Sequence, residues 1–179
     1  MTTNYIVATQ TWLANVVIAR NICPFAEQVW KNDGIRFTVE TATEIEASLL
    51  NLIIECERLD SDESIETTLL IYANAFADFD EYLDFVSLAQ GLLEAQNYEG
   101  VYQLASFHPN YCFEGATEDD AANYTNRSPY PMLHLLRESS LENALRNYPN
   151  PEMIPANNIQ LLRQLGLEKM QTTLEACYE

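Results

Sequence analysis

The segment 107–138 concentrates the side chains of this chain that could do acid–base or metal chemistry. It reads FHPNYCFEGATEDDAANYTNRSPYPMLHLLRE and contains both histidines of the protein, His108 and His134. Two of the nine cationic side chains, Arg127 and Arg137, lie in it as well. Hydrogen-bond donors, acceptors and titratable groups beside turn-forming residues are typical of a functional site rather than of a hydrophobic core. We therefore expect the functional site in this segment.

A metal site is the first chemistry that the spacing indicates. His134 and Glu138 are four residues apart, and Pro129 predicts a helix that begins there, so both side chains should project from one helix face. With His108 they make two imidazoles and one carboxylate, the ligand set of many zinc hydrolases and open iron(II) sites. This predicts a small metal-dependent, hydrolase-like enzyme whose cofactor is a divalent transition metal, with zinc favoured. The sequence indicates no other cofactor.

The run Arg127-Ser128-Pro129 predicts a site for an anionic group. Ser128 suits a helix N-cap and Pro129 suits the first helical position, so free backbone N–H groups should lie beside the Arg127 guanidinium. Further donors expected to contact a small anionic substrate are Asn123, Asn126 and Arg137. The competing interpretation is that Arg127 only neutralises acids nearby, since arginine serves both oxyanion recognition and structural ion pairing.

Three side chains are candidates for catalysis. His108 follows a predicted strand and is an acid–base candidate, and Arg127 would hold the anionic group of the substrate. Asp120 is expected to cap a short helix through Asn123, which leaves Asp119 as the freer carboxylate. Either aspartate, or Cys112, could also supplement the metal ligands.

Two alternatives to a metal-dependent enzyme remain open. One is a metal-free enzyme or binding protein for an anionic metabolite, which would use His108 and Arg127. The other is a non-catalytic partner protein whose polar segment is an internal hydrogen-bond network, because buried polar groups are usually hydrogen-bonded. The metal content of the purified protein separates the first hypothesis from these two.

Charge and cysteine usage exclude several function classes. A formal net charge of −18 and a pI near 4.2 oppose binding to nucleic acid or to an anionic membrane surface. The apolar run 13–19 is too short for a membrane span, and no basic region precedes it as a secretory signal requires.

The cysteines, at positions 23, 56, 112 and 177, are too sparse for a disulfide framework, which favours a reducing cytoplasm. Among them Cys23 is a reserve nucleophile, although a buried role is expected between Ile22 and Pro24. The oligomeric state stays open.

Strand and helix patterns alternate along the chain and must position these groups. After an opening helix, apolar strands are predicted at 35–40, 67–73 and 101–107, and a Thr43/Glu46 capping box and Asp78 begin the helices between them. This order predicts an α/β fold in which residues 1–179 form a single compact domain, with a small, mostly parallel sheet flanked by helices and a helical C-terminal part from Ser128. Ligands of such sheets bind at the carboxyl ends of the strands, where His108 lies.

Four segments carry a resemblance to a known family. They are NICPFA (21–26), ASFHPNYCFEG (105–115), DDAANYTNRSPYPMLHLLRESS (119–140) and IPANNIQLLRQLG (154–166). The chain resembles, over essentially its whole length, an uncharacterised bacterial family catalogued as a domain of unknown function. Because no activity or catalytic residue is assigned to that family, the resemblance implies no mechanism.

Overall fold

The computed structural model describes residues 2–178. Four strands form one sheet: β1 (Ile35–Glu40), β2 (Thr67–Tyr72), β3 (Tyr102–Phe107) and β4 (Met132–Arg137). The α-helices of this part of the chain are α1 (Thr2–Trp12), α2 (Ala26–Lys31), α3 (Ile45–Ser61), α4 (Phe79–Ala95), α5 (Glu138–Arg146), α6 (Ile154–Leu165) and α7 (Leu167–Glu175). A π-helical segment at Leu13–Ile18 continues α1, and 3-10 turns lie at Ala121–Thr125, Pro151–Met153 and Ala176–Tyr178.

The sheet is mixed, not mostly parallel as the sequence predicted. Its strand order is β1-β2-β4-β3, with β1 and β2 parallel and β4 antiparallel to both of its neighbours. The three strands predicted from the sequence, β1, β2 and β3, all run in one direction. The predicted α/β arrangement with helices against the sheet is also confirmed. The difference comes from β4, which lies between β2 and β3.

The prediction of a helix that begins at Pro129 is wrong, because residues Met132–Arg137 form the central strand β4. Met132, Leu133 and Leu135 are fully buried, so both faces of the strand are covered. A short apolar run covered on both faces cannot be distinguished by periodicity from a piece of buried helix. Glu138 begins α5 after the strand, so the helical spacing of His134 and Glu138 does not exist.

Alternate residues of the central strands face two separate hydrophobic clusters. Leu70 and Leu133 point into a cluster with α3 and α4 on one side of the sheet. Leu69 and Met132 point into a second cluster with α1, the π-helical segment, α6 and α7 on the other side. The sheet is therefore the middle layer between two layers of helices.

The helix starts agree with the sequence in one case and differ in another. The Asp78 carboxylate accepts hydrogen bonds from the backbone N–H groups of Asp80 and Glu81, which confirms the predicted cap of α4. The prediction of a Thr43/Glu46 capping box is wrong, because the N-cap residue of α3 is Glu44 and its side chain makes no capping hydrogen bond. Within residues 2–178, no helix combines the length and apolar character that crossing a membrane requires.

Candidate functional site

The two histidines lie on opposite faces of the sheet. His134 pairs with Leu69 across β2 and β4, and directly paired residues share a face, which here is the α1, α6 and α7 side. His108 follows β3 and packs at 5.1 Å from the ring centroids of both Phe79 and Tyr82, on the α4 side. The two imidazoles therefore do not converge on one site.

The predicted metal ligands are not brought together. Glu138 is the first residue of α5, His134 lies within β4, and His108 is on the other face of the sheet. Among residues 2–178, no group of three or more His, Cys, Asp or Glu side chains has a geometry suited to an ion. The ligand set His108, His134 and Glu138 thus loses the helical spacing on which it was predicted.

Both ring nitrogens of His108 are used by the backbone. Nε2 lies 2.9 Å from the carbonyl oxygen of Phe76, and Nδ1 accepts a hydrogen bond of 3.0 Å from the N–H of Asn110. A neutral ring with its proton on Nε2 satisfies both contacts. Burial, opposed by the Phe76 carbonyl and the charge of Asp78, lowers the pKa of His108. These contacts hold together two loops and leave neither nitrogen free for acid–base work.

Arg127 also holds backbone groups. Its Nε donates to the carbonyl oxygen of Tyr111 at 3.0 Å, and its Nη2 donates to that of Glu118 at 2.8 Å. The guanidinium carbon lies 5.0 Å from the centroid of the Tyr124 ring. The prediction of a helix N-terminus beside Arg127 is wrong, because no helix begins at Ser128 or Pro129. The Ser128 hydroxyl instead donates to the carbonyl of Tyr130.

The neighbouring asparagines are tied to the same loop. Asn123 is fully buried, accepts from the N–H of Phe113 at 3.1 Å and donates to the carbonyl of Thr117 at 2.8 Å. Asn126 donates its amide nitrogen to the carbonyl of Ser106 at 2.9 Å. These contacts fix segment 106–127 by hydrogen bonds within the chain.

The acidic pair and Arg137 have partners as well. Asp120 caps the 3-10 turn as predicted and pairs with Arg163, which is the main reason why its pKa falls to about 2. Asp119 is exposed and accepts from the Thr117 hydroxyl. Arg137 donates to the carbonyls at the end of α3 and in the following loop, those of Leu59, Asp62 and Ile65.

We expect the Arg127→Leu substitution to lower the free energy of unfolding by about 1 kcal/mol, because two hydrogen bonds from a half-buried charged group are lost. The loss should be the same with and without sulfate at equal ionic strength, since the guanidinium is already bonded to carbonyls. Denaturant unfolding of both proteins in the two buffers measures it. A loss that grows in sulfate would instead support the anion site predicted from the sequence.

A cavity of about 330 Å³ lies on the face of the sheet that carries His134. Its walls come from β1 to β4 and from the helical segments around them, and most of the lining side chains are apolar. The aromatic members are Trp12, Phe25 and Phe107, and the polar members include Cys23, Thr67, Asn126, His134 and Asn158. A mainly apolar concavity with a few placed polar groups is the usual form of a small-molecule site.

The hydrogen bonds of His134 fix its tautomer. The Thr67 hydroxyl donates its one proton to the carbonyl of Leu135, and its oxygen lies 2.7 Å from Nε2 of His134. We assign the ring proton to Nε2, which donates it to the Thr67 oxygen in this arrangement, and Nδ1 then keeps a free lone pair. Nδ1 has no hydrogen-bond partner in the part of the chain that the structure describes.

The electrostatics of the cavity favour neutral groups. Burial lowers the pKa of His134 to about 4, so the imidazole is uncharged at neutral pH. Burial also raises the pKa of the Cys23 thiol, although N–H groups of Phe25 and Ala26 oppose this shift. Cys23 is half-buried in the cavity wall, and its raised pKa favours the thiol over a reactive thiolate.

Sequence reasoning singled out four residues that line the cavity, but it did not predict the cavity itself. They are Cys23, Asn126, His134 and Arg137. Thr67 and Asn158 were missed, because one begins a buried strand and the other lies within a C-terminal helix. Only the pairing of β2 with β4 places Thr67 beside His134, and no local pattern indicates that pairing.

A family model described as a protein of unknown function (DUF1415) matches residues 4–172. No curated protein and no solved structure matches the chain.

Proposed function

The chain belongs to this family of unknown function, and for this member we propose that it binds a small, neutral and mainly apolar molecule in the cavity beside His134. The observation that carries the proposal is a mainly apolar cavity of about 330 Å³ lined by His134, whose Nδ1 has no hydrogen-bond partner among residues 2–178. Sites for small molecules commonly combine such a volume with a few oriented polar groups.

The charges around the cavity argue against the anionic substrate predicted from the sequence. Arg137 is among the lining residues, but its guanidinium donates to carbonyls at and beyond the end of α3. Glu66 also lines the cavity, and the whole chain has a net charge of −18. Among the described residues that line the cavity, none offers a free cation to a carboxylate or phosphate, which would also enter against the field of the protein.

The metal-dependent reaction predicted from the sequence is not proposed in its original form, because its three ligands lie apart. Elemental analysis of protein purified without an affinity tag is still its test. A stoichiometric metal that is lost in a His134→Ala variant would favour that reaction over the binding site proposed here.

The proposal predicts that filling the cavity from α5 blocks binding. Ala144 lines the cavity, and an Ala144→Phe side chain would occupy space that the ligand needs. We expect at least a tenfold loss of affinity for 2-naphthol, a neutral and mainly apolar probe, in a fluorescence titration at neutral pH. Asn143→Phe is the matched control, since Asn143 is exposed on the same helix and does not line the cavity.

The control variant should bind 2-naphthol as the unchanged protein does. Equal losses in the two variants would point to a general effect of phenylalanine on α5 rather than to the cavity. If neither 2-naphthol nor its methyl ether binds the unchanged protein, the proposed function is overturned.

A further inference from the structure

His134, Asn126 and Asn158, which line the cavity, each have an acceptor atom without a partner among residues 2–178. Nδ1 of His134 has a lone pair, because Nε2 carries the proton that Thr67 accepts. Asn126 and Asn158 both line the cavity, and each donates its amide nitrogen to a backbone carbonyl at 2.9 Å. The Oδ1 atoms of these two asparagines have no hydrogen-bond partner among residues 2–178.

Acceptors without partners select a ligand that has donors. An ether or ketone oxygen placed beside Nδ1 of His134 would be an acceptor facing an acceptor, and both groups would lose hydrogen bonds that water had supplied. An ammonium group has donors, but burying its charge among apolar side chains is costly without a paired anion. A hydroxyl group supplies the donor and remains neutral.

The apolar walls indicate the rest of the ligand. Trp12 and Phe107 pack edge to face with their ring centroids 5.2 Å apart, and Phe25 is the third aromatic ring in the lining. Aromatic rings pack well against other rings in offset or edge arrangements. Aliphatic side chains from β1, β2 and the π-helical segment also line the cavity, among them Ile35, Leu69 and Val17.

We propose that the ligand is a neutral hydroxylated ring compound whose hydroxyl donates to Nδ1 of His134. This inference rests on the proposed function and names its ligand class. Thr67 is a positioning residue, since its hydroxyl holds the imidazole in the tautomer that keeps Nδ1 as an acceptor. The carboxamide oxygens of Asn126 and Asn158 are acceptors for further ligand donors.

Two probes of nearly equal shape test the inference. 2-Naphthol has a hydroxyl donor, and 2-methoxynaphthalene has an oxygen at the same place that cannot donate. We expect 2-naphthol to bind the unchanged protein about tenfold more tightly than the ether, by fluorescence titration at neutral pH. Equal affinities would overturn the inference and leave the proposed function standing, whereas the absence of binding by both probes would overturn the proposed function itself.

Two variants assign the preference to its residues. His134→Leu fills the position with an apolar side chain and removes the acceptor. The affinities for 2-naphthol and for its methyl ether should then be about equal, so that their ratio is about one. The affinity for the ether shows whether the cavity survives the substitution. Thr67→Val removes the hydroxyl that fixes the tautomer, and it should reduce the ratio several-fold without abolishing ether binding. A ratio that stays near tenfold in His134→Leu would overturn the role of His134.

Discussion

Replacing Arg36 by methionine is expected to lower the free energy of unfolding by about 3 kcal/mol. Arg36 on β1 donates from Nε and Nη2 to the two carboxylate oxygens of Glu55 on α3, at 2.7 and 3.1 Å. The Glu55 side chain is only 2% exposed, whereas that of Arg36 is 31% exposed. Removing Arg36 leaves a buried carboxylate whose other cation, Arg58, lies 3.6 Å away on the surface. The expected loss is at the low end for buried pairs, because Arg36 is partly solvated.

The control is a double variant that removes the buried charge together with its partner. Arg36→Met/Glu55→Leu should recover most of the stability lost in Arg36→Met, since an apolar pair of similar volume often replaces a buried ion pair without loss. Lys31→Met breaks an exposed pair with Glu27 and should change stability by less than about 1 kcal/mol. Urea unfolding measures all three variants. A double variant as unstable as Arg36→Met would show that packing, and not the unpaired carboxylate, sets the loss.

The ion pair also bears on the cavity, because it fixes an edge strand. β1 pairs with β2 alone and forms one border of the sheet. Ile35, next to Arg36, lines the cavity on the other face of this strand. The bond between Arg36 and Glu55 therefore ties the cavity wall to α3, and we expect its loss to weaken binding of apolar probes as well as folding.

Three of the four strands could be predicted because their sequences are bounded and locally consistent. The run 67–73 is apolar and β-branched between polar breakers, and it forms β2 with all six residues buried. The segment that forms β4 has the same apolar character, but it follows Pro129 and Pro131 and contains His134. These residues suggested a helix start and a ligand spacing. Only long-range pairing with β2 and β3 decides in favour of a strand.

The polar groups of segment 107–138, where the sequence predicts the functional site, mostly bond to each other and to the backbone. His108, Asn123 and Arg127 each use two or more hydrogen bonds to fix loops. Residue types indicate which groups can donate or ligate, and they do not indicate which are already occupied. The cavity depends on segments far apart in the chain, from Trp12 to Asn158, so no window of sequence contains it.

The pH dependence of stability is expected to carry a contribution from His134. Burial holds its pKa at about 4, below the 6.5 of an unperturbed histidine. Between these two values the unfolded chain binds more protons than the folded protein, so acid favours unfolding. The contribution is complete above pH 6.5 and is lost as the pH falls toward 4. From pH 7.5 to pH 5 this amounts to about 2 kcal/mol.

His134→Gln isolates this contribution from the other titrating groups. Glutamine can donate from Nε2 to Thr67 as the imidazole does, but it does not titrate. When the pH is lowered from 7.5 to 5, the unchanged protein should therefore lose about 2 kcal/mol more free energy of unfolding than the variant does. The carboxylates and His108 titrate in both proteins, so their effects largely cancel in that difference. A difference that does not change with pH would mean that His134 takes up its proton as readily in the folded protein as in the unfolded chain, which would contradict the lowering of its pKa by burial.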